Sequence, residues 1–293
     1  MKKFVPLKTG AKLGICAPSS RFDTVKFDQG IEQLKSMGFT VELSKNIYGI
    51  KRYLAGDDRQ RANLVNQFFS DPQIDGIICA RGGFGALRIL EYLDWDSIGN
   101  NPKPLIGFSD ITAILLSIID RAKIPVIHGP TVISLATAKQ ETLDSFFQTL
   151  TNPFGSIQIS CEKMIKPGKS HGLFKGGNIS TICHLLGTPF VPDFNQSILF
   201  LEEINEPAYK IDRMLTQMKM AGLFDHIKGV VTGSFELCEN AYYIDEILAE
   251  IFDDCQVPVL TGLASGHGLV NLSLPMGMNI TIDAATLKVC WNQ

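Results

Sequence analysis

Long apolar runs are missing from this chain: no stretch reaches the roughly 18 consecutive apolar residues that a membrane-crossing helix needs, so no membrane partner is expected. Cysteine is sparse and unpatterned. Cys16, Cys79, Cys161, Cys183, Cys238, Cys255 and Cys290 are odd in number and form no Cys-x-x-Cys pair, which speaks for buried thiols in a reducing cytosol rather than a disulfide framework. There is no H-E-x-x-H and no Cys/His cluster at ligand spacing, so neither a metal nor another cofactor is expected. Basic runs are lacking too. With 27 Lys and Arg against 30 Asp and Glu, a net charge of −3 leaves nothing to track a phosphate backbone, and nucleic acid is not an expected partner. The opening MKKFVPLKTGAKLG has two lysines but no apolar core of signal-peptide length behind them, which favours a cytoplasmic location.

What is present is an ordinary globular composition, 45% apolar and 19% charged, over 293 residues, a length that suits two domains better than one core. The first half alternates strand and helix. LGICAPS (13–19), FTVEL (39–43), IDGIICA (74–80), PLIGF (104–108) and PVIHGP (125–130) read as strands, with helical stretches between them and a last helix to about Leu150. Strands apolar on both faces that alternate with helices predict a doubly wound, mostly parallel α/β sheet, with ligands collecting at the carboxyl ends of the strands. Residues 153–172, broken by Pro153, Gly155, Pro167, Gly168 and Gly172, read as a linker with one strand (SIQIS) inside it. The expected domains are therefore 1–152 and 173–293, the second a smaller mixed α/β unit built from SILFLEEI, IKGVVTGSF, PVLTGLA and intervening helices. The closing segments LPMGMNITIDA and LKVCW are expected to form a hairpin.

Ser109 falls between the strand PLIGF and a helix beginning near Asp110, on a turn that would lift its hydroxyl out of the sheet as nucleophiles are presented. The same Ser-Asp pair would serve equally as a plain helix cap. Arg81-Gly82-Gly83-Phe84-Gly85 follows the preceding strand; neighbouring strand ends would bring the amides of Gly83 and Asp110 together as an oxyanion hole, while a phosphate-binding loop, without the G-x-G-x-x-G or P-loop pattern, or a plain tight turn is the alternative reading. Of the five histidines His267 is the best base, because the loop Ala-Ser-Gly-His-Gly-Leu leaves an imidazole free to face a cleft. Glu202 and Glu203 close the apolar strand SILFLEEI; successive strand residues face opposite ways, so one should turn inward to orient the imidazole, with Glu202 chosen and Glu203 in reserve. Both glutamates ending the strand in solvent is the competing expectation. Arg81 is a candidate for a substrate carboxylate because guanidinium grips carboxylate in two-pronged fashion, and Phe84 beside it is a further candidate substrate contact. On the first-half pattern alone, an α/β ligand-binding domain without catalysis accounts for the same features.

APSS, RGGFGALR, GFSD, HGP, GGNISTICHLLGTP, LFLEEINEPAYKIDRMLTQM, GHG and LPMGMNITID, in that order, resemble the murein LD-carboxypeptidases of serine peptidase family S66 over nearly the whole chain. The resemblance implies a cytoplasmic serine carboxypeptidase that releases the terminal D-alanine of murein tetrapeptides during peptidoglycan recycling. It further implies a two-domain fold with the site between the domains, a homodimer, and a triad of Ser109, Glu202 and His267 with Gly83 and Asp110 as oxyanion donors. A sister branch, the microcin-immunity hydrolases of peptidyl and aminoacyl nucleotides, tends to carry an acid-Thr-Ser-acid run where this chain has EEINE and ranks second.

Overall fold

The computed structural model describes residues 5–153, 155 and 157–291. In chain order the strands are β1 (Lys12–Cys16), β2 (Thr40–Leu43), β3 (Gly76–Cys79), β4 (Leu105–Gly107), β5 (Val126–His128), β6 (Gln158–Ser160), β7 (Lys163–Lys166), β8 (Lys169–Asn178), β9 (Ser197–Ile204), β10 (Gly229–Glu236), β11 (Val259–Thr261), β12 (Leu274–Met276), β13 (Asn279–Asp283) and β14 (Lys288–Trp291). The α-helices are α1 (Thr24–Ser36), α2 (Asp58–Ser70), α3 (Trp95–Asn100), α4 (Thr112–Ser117), α5 (Val132–Leu135), α6 (Gln140–Thr151), α7 (Ile179–Leu185), α8 (Ala208–Met220) and α9 (Ile244–Ile251). The described residues fall into two compact units, one running to Pro153 and including Leu272–Pro275, the other covering the remainder.

In the first unit the strands lie in the order β12-β5-β4-β3-β1-β2, and β1 to β5 are all parallel. Ile15, Ile77, Ile78, Ile106 and Ile127 are fully buried on these strands, which is why the sequence shows apolar runs rather than alternation. Strand order reverses between β1 and β3, so the loops after those two strands leave the sheet in different directions and open a crevice at their carboxyl ends. α2 begins with a reciprocal cap between Asp57 and Gln60 and packs Val65 and Phe69 inward. After β4 the chain makes a 3₁₀ turn (Ser109–Ile111) before α4, so the expected helix is built in pieces.

The second unit centres on parallel strands β8-β9-β10-β11 and widens with antiparallel partners: β13, β14 and β6 beyond β8, and β7 beyond β11. Phe174 packs against Phe200 and edge-on against Trp291 in its core. Two expectations need correcting here. Residues 153–172, read as a linker with one strand inside it, supply that strand as β6 and add β7 and the start of β8 to this sheet; β7 is short and half-exposed, so no apolar run announces it, and Phe154 and Ser156 lie outside the described residues. LPMGMNITIDA is not one strand: Leu274–Met276 joins the first sheet beside β5, Gly277 turns at φ 74°, and Asn279–Asp283 pairs with β8 and with β14, the last as the expected hairpin.

Where β8 pairs with β9, Gly176 lies opposite Phe200 at φ 144°, and a Cβ on it would stand 1.9 Å from the Phe200 carbonyl oxygen. Gly176→Ala is expected to lower the unfolding free energy by at least about 2 kcal/mol, from the forbidden backbone conformation and the clash together, as read by urea denaturation.

Candidate active site

Ser109 occupies the left-handed region at φ 64°, a conformation that costs a non-glycine residue about 1–3 kcal/mol. The strand-to-helix turn forces it: β4 ends at Gly107, Phe108 is still extended, and the 3₁₀ turn starts at once, so the serine side chain is thrown out of the sheet. Close packing surrounds it. A Cβ on Gly82 would fall 2.9 Å from Ser109 Cβ and one on Gly107 2.9 Å from Ile111 Cγ2, so both positions require glycine. The RGGFG loop therefore runs directly beside the serine. Gly83 is at φ 102°, and its amide donates to no group among the described residues.

The residues that shape these loops were not singled out as site residues from sequence. Ser19 and Ser20, both buried after β1, reach across to them: the Ser19 hydroxyl donates to Asp110 Oδ2, which also accepts from the Ala86 amide at 2.8 Å, and Ser20 Oγ accepts from the Phe84 amide at 2.9 Å. Arg61, buried on α2, donates to the carbonyls of Pro18 and Gly85 and ion-pairs with Asp58 at 2.5 Å. The Arg88 guanidinium, opposed by burial and aided by Arg61, brings the Asp58 carboxyl down to about 2. The signal was the motif APSS itself, whose serines have no local cap to make. Arg81 donates to the Arg21 carbonyl at 2.7 Å, and Phe84 is 47% exposed, edge-on to Tyr53 with ring centres 5.4 Å apart.

In the second unit Glu202 and Glu203 are both buried at the end of β9, so the solvent-terminated reading does not hold. Their side chains serve different partners. Glu202 Oε2 lies 2.6 Å from His267 Nδ1, across 65 residues of sequence. Glu203 accepts from Asn178 Nδ2 (2.7 Å), from the Ser180 amide (2.8 Å) and hydroxyl (2.7 Å), and from the Ile204 amide (2.9 Å), which satisfies the start of α7. Burial pushes the Glu203 carboxyl upward, and these donors offset only part of it.

His267 is carried by the loop after β11, and that loop is set by close contacts. Gly266, at φ 114°, would place a Cβ 2.8 Å from both Glu202 Oε2 and Ser234 Oγ, so any side chain there would drive the glutamate and histidine apart. Asn271 Oδ1 accepts from the Gly266 amide at 3.0 Å, and Ser234 Oγ from the Gly268 amide at 3.0 Å. Ser234 is in reach because β10 breaks register between Thr232 and Phe235, an irregularity that re-aims its side chains. Burial disfavours a charged His267, but the hydrogen bond to Glu202 and its charge, with Glu203 and Glu236 behind, outweigh it and raise the imidazole pKa. The two halves of the expected constellation are thus each assembled: serine with the glycine loop in one unit, acid with imidazole in the other. No group of three or more metal-ligating side chains occurs among the described residues.

Comparison with known proteins matches residues 13–129 to the LD-carboxypeptidase N-terminal domain and residues 171–282 to the LD-carboxypeptidase C-terminal domain of peptidase S66. The chain is 32% identical to a probable murein peptide carboxypeptidase of Bacillus subtilis, covering 95% of this chain and 91% of that protein. It is 31% identical to the murein tetrapeptide carboxypeptidase of Pseudomonas aeruginosa, covering 94% of each. Among solved structures, an MccF-like protein of Bacillus anthracis superposes with a TM-score of 0.92 at 25% identity over 99% of both chains.

The two glutamates separate by titration and by stability. Glu202→Gln is expected to move the His267 titration to lower pH, followed by NMR, while Glu203→Gln moves it less and instead lowers the unfolding free energy by about 1–3 kcal/mol by weakening the acceptor of four donors.

Proposed function

The chain belongs to the LD-carboxypeptidase family, peptidase S66, and from that premise we propose that it is a serine carboxypeptidase that releases the terminal D-alanine of murein tetrapeptides in peptidoglycan recycling, working as a cytoplasmic homodimer. The observation that carries the reading is Ser109 held at φ 64° on a strand-to-helix turn with a glycine loop against it. A structural helix cap gains nothing from left-handed strain; a nucleophile gains its exposure.

In this proposal His267 accepts the Ser109 proton and Ser109 Oγ attacks the carbonyl of the scissile bond. The amides of Gly83 and Asp110 hold the oxyanion. His267 then gives the proton to the leaving D-alanine amine, and water repeats the sequence on the acyl-enzyme. Glu202 holds Nδ1 of the imidazole, leaving Nε2 for the proton transfers, and steadies the imidazolium when it forms. Arg81 and Phe84 are proposed to meet the substrate beside the oxyanion loop, the guanidinium taking the terminal carboxylate. The likeness to an MccF-like structure supports a second reading, hydrolysis of peptidyl or aminoacyl nucleotides by the same groups.

Ser109→Ala is expected to keep its circular dichroism spectrum while D-alanine release from a free tetrapeptide drops to below about one part in 10⁴ of the parental rate; parental turnover by that variant would remove the serine from the mechanism. Tetrapeptides with diaminopimelate or lysine at the third residue, run beside an aminoacyl nucleotide, decide between the two substrate classes. The pH dependence has a definite sign. A base acts when neutral, and the His267 pKa is raised, so kcat/KM should climb with pH through a limb lying above the ordinary histidine value, and Glu202→Gln should bring that limb down.

A further inference from the structure

The oxyanion-hole reading needs two amide hydrogens to point the same way, and in a glycine pair nothing local enforces this. Gly82 and Gly83 have no side chains to restrict them, and the peptide joining them can rotate as a rigid plane. A half-turn of that plane would replace the Gly83 N–H with the Gly82 carbonyl oxygen, which would repel a developing oxyanion. Something must hold the plane.

Ser20 holds both planes that flank Gly83. Its amide donates to the Gly82 carbonyl at 3.3 Å. In a trans peptide the carbonyl and the N–H point in opposite directions, so fixing the Gly82 oxygen toward Ser20 turns the Gly83 N–H away from Ser20. The next plane is fixed by the hydroxyl, which accepts from the Phe84 amide at 2.9 Å; the same hydroxyl donates to the Phe84 carbonyl, in the plane after that, at 3.3 Å. The contact is close: a Cβ on Gly83 would sit 2.6 Å from Ser20 Oγ. Ser19 acts correspondingly on the second donor. Its hydroxyl donates to Asp110 Oδ2, and the same oxygen accepts from the Ala86 amide, so the residue that follows the nucleophile is tied both to the β1 loop and to the glycine loop.

We propose that Ser19 and Ser20 are positioning residues that preset the oxyanion hole, Ser20 by fixing the peptide planes on either side of Gly83 and Ser19 by anchoring the Asp110 side chain. The inference rests on reading Ser109 as the nucleophile. It also gives the crevice between β1 and β3 a definite role, since the loop leaving β1 crosses there to brace the loops leaving β3 and β4. The hydroxyls touch no reacting atom. Their effect is on transition-state stabilisation rather than on substrate binding, because a preset donor matters most where charge develops.

The test uses the full chain and two readouts. Ser20→Ala leaves the backbone bond to Gly82 in place, so kcat is expected to fall about 10- to 100-fold, less than or equal to the loss of a whole oxyanion donor, with KM within about twofold. Affinity for a peptide boronic acid, whose boron forms a tetrahedral adduct with the serine, should fall by the same factor as kcat/KM, with little change in the thermal midpoint. Ser19→Ala and Asp110→Asn, which keep the Asp110 backbone amide, should show the same pattern, and Ser19→Ala carries the test if Ser20→Ala does not fold. An unchanged kcat, or a rise in KM with boronate affinity intact, would overturn the inference. A parent enzyme that binds boronate through Ser109 but cleaves no murein peptide rejects the proposed substrate alone, and the comparison then runs on boronate affinity. Boronate affinity unaffected by Ser109→Ala rejects the nucleophile and this inference together.

Discussion

Two carboxylates stand side by side at the end of β9, both inside the protein, and the start of α7 and the loop after β11 meet them there. An ionised carboxylate removed from water is tolerated only with compensating donors or charge. Because adjacent strand residues face opposite ways, each finds a different solution. Glu203 takes hydrogen bonds from Asn178, Ser180 and Ile204 and so fastens the start of α7. Glu202 takes the imidazole of His267, which is the pairing with chemical potential: it raises the basicity of a group that a hydrolase needs as base. One acid fastens a helix start and the other holds an imidazole.

Close backbone approach recurs on both sides of the proposed machinery. Gly82 leaves no room for a side chain beside Ser109, and Gly266 leaves none between the loop and Glu202. In each case a glycine lets a loop lie against a side chain of the proposed site that any Cβ would displace. Hydroxyls then tie the loops down: Ser19 and Ser20 in one unit, Ser234 in the other, the last delivered by the break in register along β10. Small residues supply proximity, and short hydrogen-bonding residues remove the freedom that glycine brings. Ser109 is one of eight non-glycine residues at positive φ among the described residues, and there the left-handed backbone coincides with the tight turn after β4.

Much of this is readable in the amino acids because it is local. Apolar runs such as IICA and LIG mark strands covered on both faces, and SILFLEEI coincides with β9 from end to end. The Ser109 turn follows from a strand meeting a helix within two residues. Less is visible where local signals are weak. β7 is a short, half-exposed edge segment without apolar periodicity, and the prolines and glycines around it read as a linker. The departure of Leu274–Met276 to the first sheet has no sequence mark beyond the glycine that follows it.

The sequence by itself determined the parallel α/β character of the first unit, the turn that presents Ser109, and the short list of acids and bases from which a site must be drawn, since these depend on residue type and spacing within a few positions. Only the tertiary structure decided that Glu202 rather than Glu203 meets His267, that Ser19 and Ser20 reach the Ser109 turn and the glycine loop, and that Gly266 must be bare. Those outcomes depend on strand register, a register break and side-chain contacts spanning 64 to 91 residues. Hydrophobic periodicity carries no information about which distant partner a buried polar group will find.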